Sequence, residues 1–326
     1  MLTLGFSADD LARTRFATSP LQEVVASIRV LKDPAAHIVH EPWVAEIRPL
    51  LAASGLDLGP LSDLVPVPSW YIPDFLTPPP LTPAPEFAAQ LETLRATPPG
   101  QVRTDLGHMV DARSPWVDAL HDDPVPGLAR LAGVIEAYWE LAIAPHWPRL
   151  RALHQGDVIY RARRLADGGA ARLFADLASI VRWQDGSLHI AHPRYSGERS
   201  LDGQGLLLVP SAFVWPSVFS STIPPWQPTL TYPARGVASL WERRDRTTAD
   251  ALAAVIGRSR TLLLMELDTP ASTTELTHRT GLAASSVSEH LAALRSAGLV
   301  TAHRAGRFVM YARTTVAESL VMAPIA

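Results

Sequence analysis

The chain has 326 residues, of which 47% are hydrophobic and 19% charged, so it can bury a sizeable core in two or three domains. This composition excludes a disordered protein, and the formal net charge of −3 excludes a general attraction to nucleic acid. The absence of cysteine excludes disulfides, thiol catalysis and cysteine metal sites. No apolar run reaches the roughly 18 residues of a membrane helix and no signal-peptide pattern is present, so we expect a cytoplasmic protein.

The first clear helix signal lies at Ser19. Ser19, Pro20 and Gln22 supply a capping side chain, a proline at the first helical position and a glutamine at the third. Apolar residues then recur at helical spacing, and a second helix is predicted over residues 43–53. Prolines crowd residues 56–85 so densely that they exclude a regular helix there.

This proline-rich segment, residues 56–85, has two interpretations. The one we favour is a surface loop that crosses the core. The alternative is a lid or a ligand-lining loop, because Trp70, Tyr71 and Phe75 lie within it and long loops are often functional.

Residues 86–177 carry helical apolar stripes, with a break at Gly168-Gly169, before the pattern changes to strands. Asp185-Gly186 is a strong hairpin turn between two strand-like runs. Further strand candidates are residues 205–209, 213–215 and 229–232. The region therefore predicts helices followed by a small β-sheet, which is an α+β arrangement.

A domain boundary is predicted after Trp241. All nine tryptophans lie at or before this residue, and we expect most of them to pack in the core. A charged segment follows Trp241 and leads into a new helix signal. We therefore assign residues 1–244 to an N-terminal α+β regulatory and dimerisation domain, and residues 245–326 to a C-terminal domain.

Residues 272–313 predict a helix, a tight turn, a second helix and a two-stranded hairpin. Ser272 and Glu275 form a capping box, and Gly281 suits the turn because glycine accepts a positive φ. The second helix, residues 284–297, buries Val287, Leu291 and Leu294 on one face. This order is that of a winged helix-turn-helix, a DNA-binding module. A plain helical domain or a protein-interaction module is the alternative.

The opposite face of the second helix carries small hydroxyl side chains, which can donate to phosphates or base edges. The predicted hairpin tip, residues 304–307, adds two arginines that suit phosphates or a minor groove. Five arginines against two acids give residues 272–313 a local charge of +3. The side chains that we expect to contact DNA are Thr274, Ser285, Ser286, Ser288, Glu289, His290, Arg295, Arg304 and Arg307.

The same segment resembles a known family. Residues 283–291, A-A-S-S-V-S-E-H-L, and residues 297–300, A-G-L-V, are similar to the recognition helix of ArsR-type transcriptional regulators. Residues 256–260 resemble that family's first core helix. Upstream, residues 205–211 and 232–236 look like a domain of unknown function that is fused to ArsR-type modules in actinobacteria.

Three departures from the family pattern bear on function. Ala283 stands where the family usually has a serine cap, and Glu289 stands where a basic residue is common. Glu289 disfavours a phosphate contact but can accept a hydrogen bond from cytosine N4. The cysteine motif of the metal sensors is absent, which excludes metal sensing by that route.

The family commonly dimerises through a helix after the wing, where this chain has only residues 314–326, so we expect the N-terminal domain to contribute to a homodimer.

Candidate chemistry outside this segment is weak. Two histidine pairs have the three-residue spacing that places both imidazoles on one side of a helix: His37 with His40, which Glu41 follows, and His189 with His192. Neither pair has an evident third ligand. Ser211 lacks the G-x-S-x-G elbow of a nucleophile, and no P-loop or dinucleotide fingerprint occurs. We expect no enzyme activity, no cofactor and no metal.

These patterns favour a transcriptional regulator that binds an operator in double-stranded DNA as a homodimer. We expect a small-molecule effector or another signal to act through the N-terminal domain. Repression is the output that the resemblance implies. The alternative is a metabolite-binding or enzymatic N-terminal domain whose winged helix serves protein assembly.

Overall fold

The computed structural model describes residues 1–68, 71–109, 113–191, 196–241, 246–305 and 308–322. Contacts divide the chain into two compact units, Met1–Trp241 and Glu242–Ala326, which we call the N-terminal unit and the C-terminal unit. The predicted boundary between residues 244 and 245 lies outside the described residues. Within the described ranges, no helix is long and apolar enough to cross a membrane.

The N-terminal unit is mainly helical. Its helices are α1 Ala8–Arg13, α2 Pro20–Lys32, α3 Glu41–Ser54, α4 Gly59–Asp63, α5 Phe87–Arg95, α6 Pro99–Gly107, α7 Pro115–Asp122, α8 Pro124–Tyr138 and α9 Trp147–Phe174. The predicted cap of α2 is confirmed, because Gln22 N donates to Ser19 Oγ over 3.0 Å. The predicted glycine break is also confirmed, since the backbone of α9 leaves helical geometry at Gly168 and Gly169.

Two four-stranded sheets complete the N-terminal unit. The strands are β1 Leu2–Gly5, β2 Arg15–Phe16, β3 Val181–Gln184, β4 Ser187–Ile190, β5 Gly197–Ser200, β6 Leu207–Ser211, β7 Phe219–Ser221 and β8 Thr229–Pro233. One sheet has the order β3-β4-β1-β5 and the other the order β2-β6-β8-β7. The hairpin predicted at Asp185-Gly186 is confirmed, with φ values of 50° and 73° at these residues.

The strand prediction is wrong in two respects. The sheets do not simply follow the helices, because β1 from the N-terminus lies between β4 and β5, and β2 pairs with β6. Residues 213–215 do not form a strand. The buried Glu23 carboxylate holds the backbone at the start of this segment instead, because it accepts hydrogen bonds from the N–H groups of Ala212 and Phe213. These N–H groups therefore need no strand partner.

A buried ionic network joins α9 to β8. Asp157 accepts hydrogen bonds from Arg161 Nε at 3.0 Å and from the Tyr232 hydroxyl at 2.7 Å. Arg161 Nη1 also donates to Asp176 Oδ1 at 3.0 Å. Arg161, Asp157 and Tyr232 are all buried, so each polar atom depends on its protein partners rather than on water.

The prediction that the proline-rich segment holds no regular helix is wrong, because α4 lies within it. Its interpretation as a surface loop is wrong for the part that packs into the core, whereas residues 81–84 are exposed. Leu61, Leu64 and Phe75 are fully buried among the helices, and Tyr71 lines an internal cavity. Trp70 lies outside the described residues.

The C-terminal unit combines helices with a small sheet. Its elements are α10 Arg246–Ile256, α11 Arg258–Glu266, β9 Ala271–Ser272, α12 Thr273–Thr280, α13 Ala284–Ser296, β10 Val300–Ala305, β11 Phe308–Arg313 and α14 Thr315–Met322. Leu263, Leu276 and Leu291 are fully buried in its separate core. The predicted α+β class is confirmed for the chain as a whole.

Candidate nucleic-acid interface

The capping box at the start of α12 is present. Glu275 N donates to Ser272 Oγ over 3.3 Å, and Ser272 N donates to Glu275 Oε2 over 2.7 Å. The hydrogen bond from the Ser272 backbone lowers the pKa of the Glu275 carboxyl. Thr274, in the first turn of α12, is exposed and available for contact with DNA.

The turn between α12 and α13 has the geometry that its sequence predicts. Gly281 ends α12 with φ 70°, a left-handed conformation that favours glycine. In α13, Val287, Leu291 and Leu294 are buried at 0%, 0% and 1% exposure. The predicted inward face is therefore confirmed, and the opposite face of α13 must point away from the core.

The outward face of α13 is polar and small. Ser285, Ser288, Glu289 and Arg295 are exposed, whereas Ser286 is half-buried. His290 is also half-buried, and its Nδ1 is buried without a hydrogen bond to any described residue. His290 therefore lies at the edge of the outward face rather than at its centre.

The first turn of α13 has free backbone donors. Ala283 occupies the cap position with extended backbone and forms no side-chain capping bond. The first N–H groups of a helix have no partner within the helix, and the Ala283 side chain supplies none here. Helix N-termini of this kind favour anions such as phosphate because the N–H groups and the helix dipole point toward them.

The C-terminal end of α13 turns the chain toward the hairpin. Gly298 has φ 70° and donates its N–H to the Arg295 carbonyl, while Leu299 N donates to the Leu294 carbonyl. This pair of bonds is a Schellman motif, which ends a helix and reverses the chain direction.

The hairpin belongs to a three-stranded sheet with the order β10-β11-β9. The prediction of a two-stranded hairpin omitted β9, in which Ser272 pairs with Met310. The predicted tip is also wrong in part, because Arg304 lies within β10 opposite Val309. Strand pairing continues to Ala305, so this exposed arginine has the fixed direction of a strand residue. Arg307 lies outside the described residues.

The arginines of this segment divide into two groups. Arg313 is half-buried and donates to the Leu264 carbonyl, and Arg279 donates to the Glu266 carbonyl. Arg295 and Arg304 are exposed, and their side chains form no hydrogen bond with other described residues. The positive charge that is free to meet a phosphate in the described segment therefore comes from these last two arginines.

The candidate metal pairs have other partners. His37 Nδ1 lies 2.8 Å from the Asp33 carbonyl. His40 Nε2 donates to the Ala212 carbonyl while its Nδ1 accepts from Trp241 Nε1, and burial lowers the pKa of His40 to about 4. His189 Nδ1 lies 3.1 Å from Thr3 Oγ1, and His192 lies outside the described residues. In the part of the chain that the structure describes, no group of three or more metal-ligating side chains occurs.

A capped first helix, a glycine turn, an uncapped second helix with a polar outward face and a three-stranded wing define a winged helix-turn-helix. Comparison with family models agrees. Residues 257–302 match the model described as bacterial regulatory protein, arsR family, and residues 101–238 match a family of unknown function (DUF5937). Neither the curated proteins nor the solved structures that were compared give a match.

The chain thus carries an ArsR-family regulator domain preceded by a domain of unknown function, as its sequence resemblance indicated. It is a DNA-binding transcription regulator, and the ArsR-family domain is typical of regulators rather than of enzymes.

Proposed function

We propose that this regulator is a homodimeric repressor that places α13 of each copy in the major groove of an operator. In this arrangement Ser285, Ser286, Ser288, Glu289 and His290 face base edges and nearby phosphates. The observation that carries the proposal is the uncapped, exposed first turn of α13, because its free N–H groups favour a phosphate. Thr274, Arg295, Arg304 and Arg307 would add contacts to the DNA backbone.

Exposed apolar side chains support a dimer of the C-terminal unit. Val255 of α10 is 81% exposed, and Val316 and Leu320 of α14 are 60% and 40% exposed. The helices α10 and α14 contact each other, and Val316 and Leu320 lie on one side of α14 because they are four residues apart. A second copy would cover this surface and would set the two α13 helices about 34–36 Å apart, one turn of DNA.

We also propose that the N-terminal unit controls this binding in response to a small-molecule effector. The unit has its own core and its own cavity, which gives a ligand a place to bind. Repression as the output follows from the family resemblance alone. A cytoplasmic location accords with this function.

A salt titration of DNA binding tests the proposal. Fluorescence anisotropy would follow the full chain on labelled DNA from the region upstream of its own coding sequence. Each phosphate contact contributes about −0.9 to the slope of log affinity against log salt. We expect a steep slope and two chains per site, and we expect Arg295→Ala and Arg304→Ala each to reduce the slope by about one.

The matched control is Arg130→Ala, which removes the same charge from an exposed position in the N-terminal unit. This variant should retain the wild-type slope. Affinity that is independent of salt, or equal losses in all three variants, would contradict the proposed interface.

A further inference from the structure

A cavity of about 260 Å³ lies within the N-terminal unit, close to the lower end of the ~300–1,000 Å³ range of ligand pockets. Its walls come from α2, the proline-rich segment, β7 and β8, together with residues next to β3 and in β4. All of its described lining residues belong to the N-terminal unit.

One wall of the cavity carries the half-buried, positively charged side chain of Arg29. Arg29 Nε and Nη1 are buried and form no hydrogen bond with described residues. The guanidinium carbon lies 4.7 Å from the centre of the Phe219 ring. Burial lowers the pKa of Arg29, and the charge of Asp33 offsets that effect only in part. A guanidinium in this position favours an added carboxylate, which balances its charge and accepts from Nη2, the nitrogen that is not buried.

Another part of the wall carries an acidic group. Asp74 is 9% exposed, and burial raises the pKa of its carboxyl to about 6. The Tyr71 hydroxyl donates to Asp74 Oδ2 over 3.0 Å. Ser221 Oγ lies close enough to stabilise the Asp74 carboxylate but forms no hydrogen bond of regular geometry. This group of oxygens can accept a hydrogen bond from a ligand hydroxyl or N–H.

The remaining wall is partly apolar and includes Val25, Ile72 and Val218. Among the described lining residues, Arg29 and Asp74 are the side chains that carry a full charge, and their charges are opposite. A polyvalent phosphate would therefore meet one cation and one repelling carboxylate. A monoanion with an apolar body and a separate donor matches the wall better.

We propose that this cavity binds a small amphipathic carboxylate, whose carboxylate group pairs with Arg29 and whose hydroxyl or N–H group donates to Asp74. The proposal rests on the proposed function, in which the N-terminal unit receives the effector. It adds the location of the site and the chemical class of the ligand.

Calorimetry on the full chain without DNA tests the site. The probe is 4-hydroxybenzoate, with benzoate to remove the donor and 4-hydroxybenzamide to remove the negative charge. We expect 4-hydroxybenzoate to bind tightest, and we expect Arg29→Gln to lower its affinity about tenfold or more, because a charge-assisted pair is lost. Arg130→Gln, which changes an exposed arginine outside the cavity, should leave the affinity unchanged.

A second variant guards against misfolding of Arg29→Gln. Ser220 lines the cavity and is exposed, so Ser220→Asp adds a negative charge at the rim with little effect on packing. It should weaken 4-hydroxybenzoate severalfold, whereas the uncharged Ser220→Asn should not, and neither should weaken 4-hydroxybenzamide. The site is refuted if neither carboxylate binds at millimolar concentration, if the amide binds equally well, or if Ser220→Asp has no effect.

The same probe separates this site from the proposed function. If 4-hydroxybenzoate binds through Arg29 without altering DNA affinity, the site is supported and the proposed control of DNA binding fails. If it alters DNA affinity equally in the wild type and in a folded Arg29→Gln variant, control by a ligand is supported and this site is overturned.

Discussion

The proposed DNA face and the proposed effector cavity are assembled in opposite ways. The DNA face comes from one continuous stretch, residues 272–313, in which each turn follows from local capping and spacing. The cavity collects side chains from Gln22 to Thr231, which only the folded sheets and helices bring together. The C-terminal core is apolar, whereas the N-terminal unit also depends on buried ionic groups. This contrast predicts that the two units respond differently to the same kind of substitution.

The largest expected effect comes from the buried network of the N-terminal unit. Arg161→Met should lower the free energy of unfolding of this unit by about 3–5 kcal/mol, because Asp157 would stay buried without its cation. Urea denaturation, monitored by tryptophan fluorescence, measures this free energy. This signal reports on the N-terminal unit alone, since every tryptophan lies at or before Trp241.

The control is Arg163→Met, an exposed arginine on the same helix, which should change stability by less than about 0.5 kcal/mol. If both variants lose the same large amount of unfolding free energy, the buried ionic network does not account for the effect of Arg161→Met. A small loss in both would mean that methionine replaces the ion pair without cost.

The next effect concerns the pH dependence of the cavity wall. The folded state raises the pKa of Asp74 from 3.8 to about 6, so it binds this proton more tightly than the unfolded chain does. The contribution of Asp74 to the free energy of unfolding is therefore fully present below about pH 4 and is lost as the pH rises through about 6. Tyr71, Asp105, His108 and Ser221 face this carboxyl and contribute to the shift.

In Asp74→Asn the side chain stays neutral at every pH, so the variant should not lose stability as the pH rises. Relative to the wild type, the variant should gain about 2–3 kcal/mol between pH 4 and pH 7. Urea denaturation at a series of pH values, followed by tryptophan fluorescence, gives the difference. A difference that stays constant over this range would mean that Asp74 titrates normally.

The smallest effect sharpens the picture of the DNA face. Ala283→Ser supplies the missing cap of α13 and should stabilise the C-terminal unit by about 1 kcal/mol. Ser272→Ala removes an existing cap and should destabilise it by a similar amount. Far-UV circular dichroism during denaturation compares the two. If Ala283→Ser gives no gain, the first N–H groups of α13 have another partner.

The sequence predicts those features that are set by near neighbours in the chain. The cap at Ser19, the capping box at Ser272 and the left-handed Gly281 need only a few residues to form, and all are confirmed. The buried stripe of α13 is confirmed for the same reason, because helical spacing alone separates its two faces. Actual contacts of the predicted side chains with DNA stay a prediction.

Features that depend on distant pairing were missed. Strand β9 has only two residues, so it becomes recognisable only where it meets β11. The sequence predicts a turn at Arg304, which instead lies in β10, because the length of a strand depends on its partner strand. The aromatic residues of the proline-rich segment are the only local signal of the cavity, since Arg29 and Asp74 are ordinary members of their segments until the fold places them around it.

Ser272 belongs to a strand and caps a helix at the same time. Its backbone belongs to β9 and pairs with Met310 of the wing, while its side chain and N–H hold the first turn of α12. The wing and the first turn of α12 are therefore joined at Ser272 without a linker. A duplex that displaces β11 would also displace the start of α12, because one residue pairs with the strand and caps the helix.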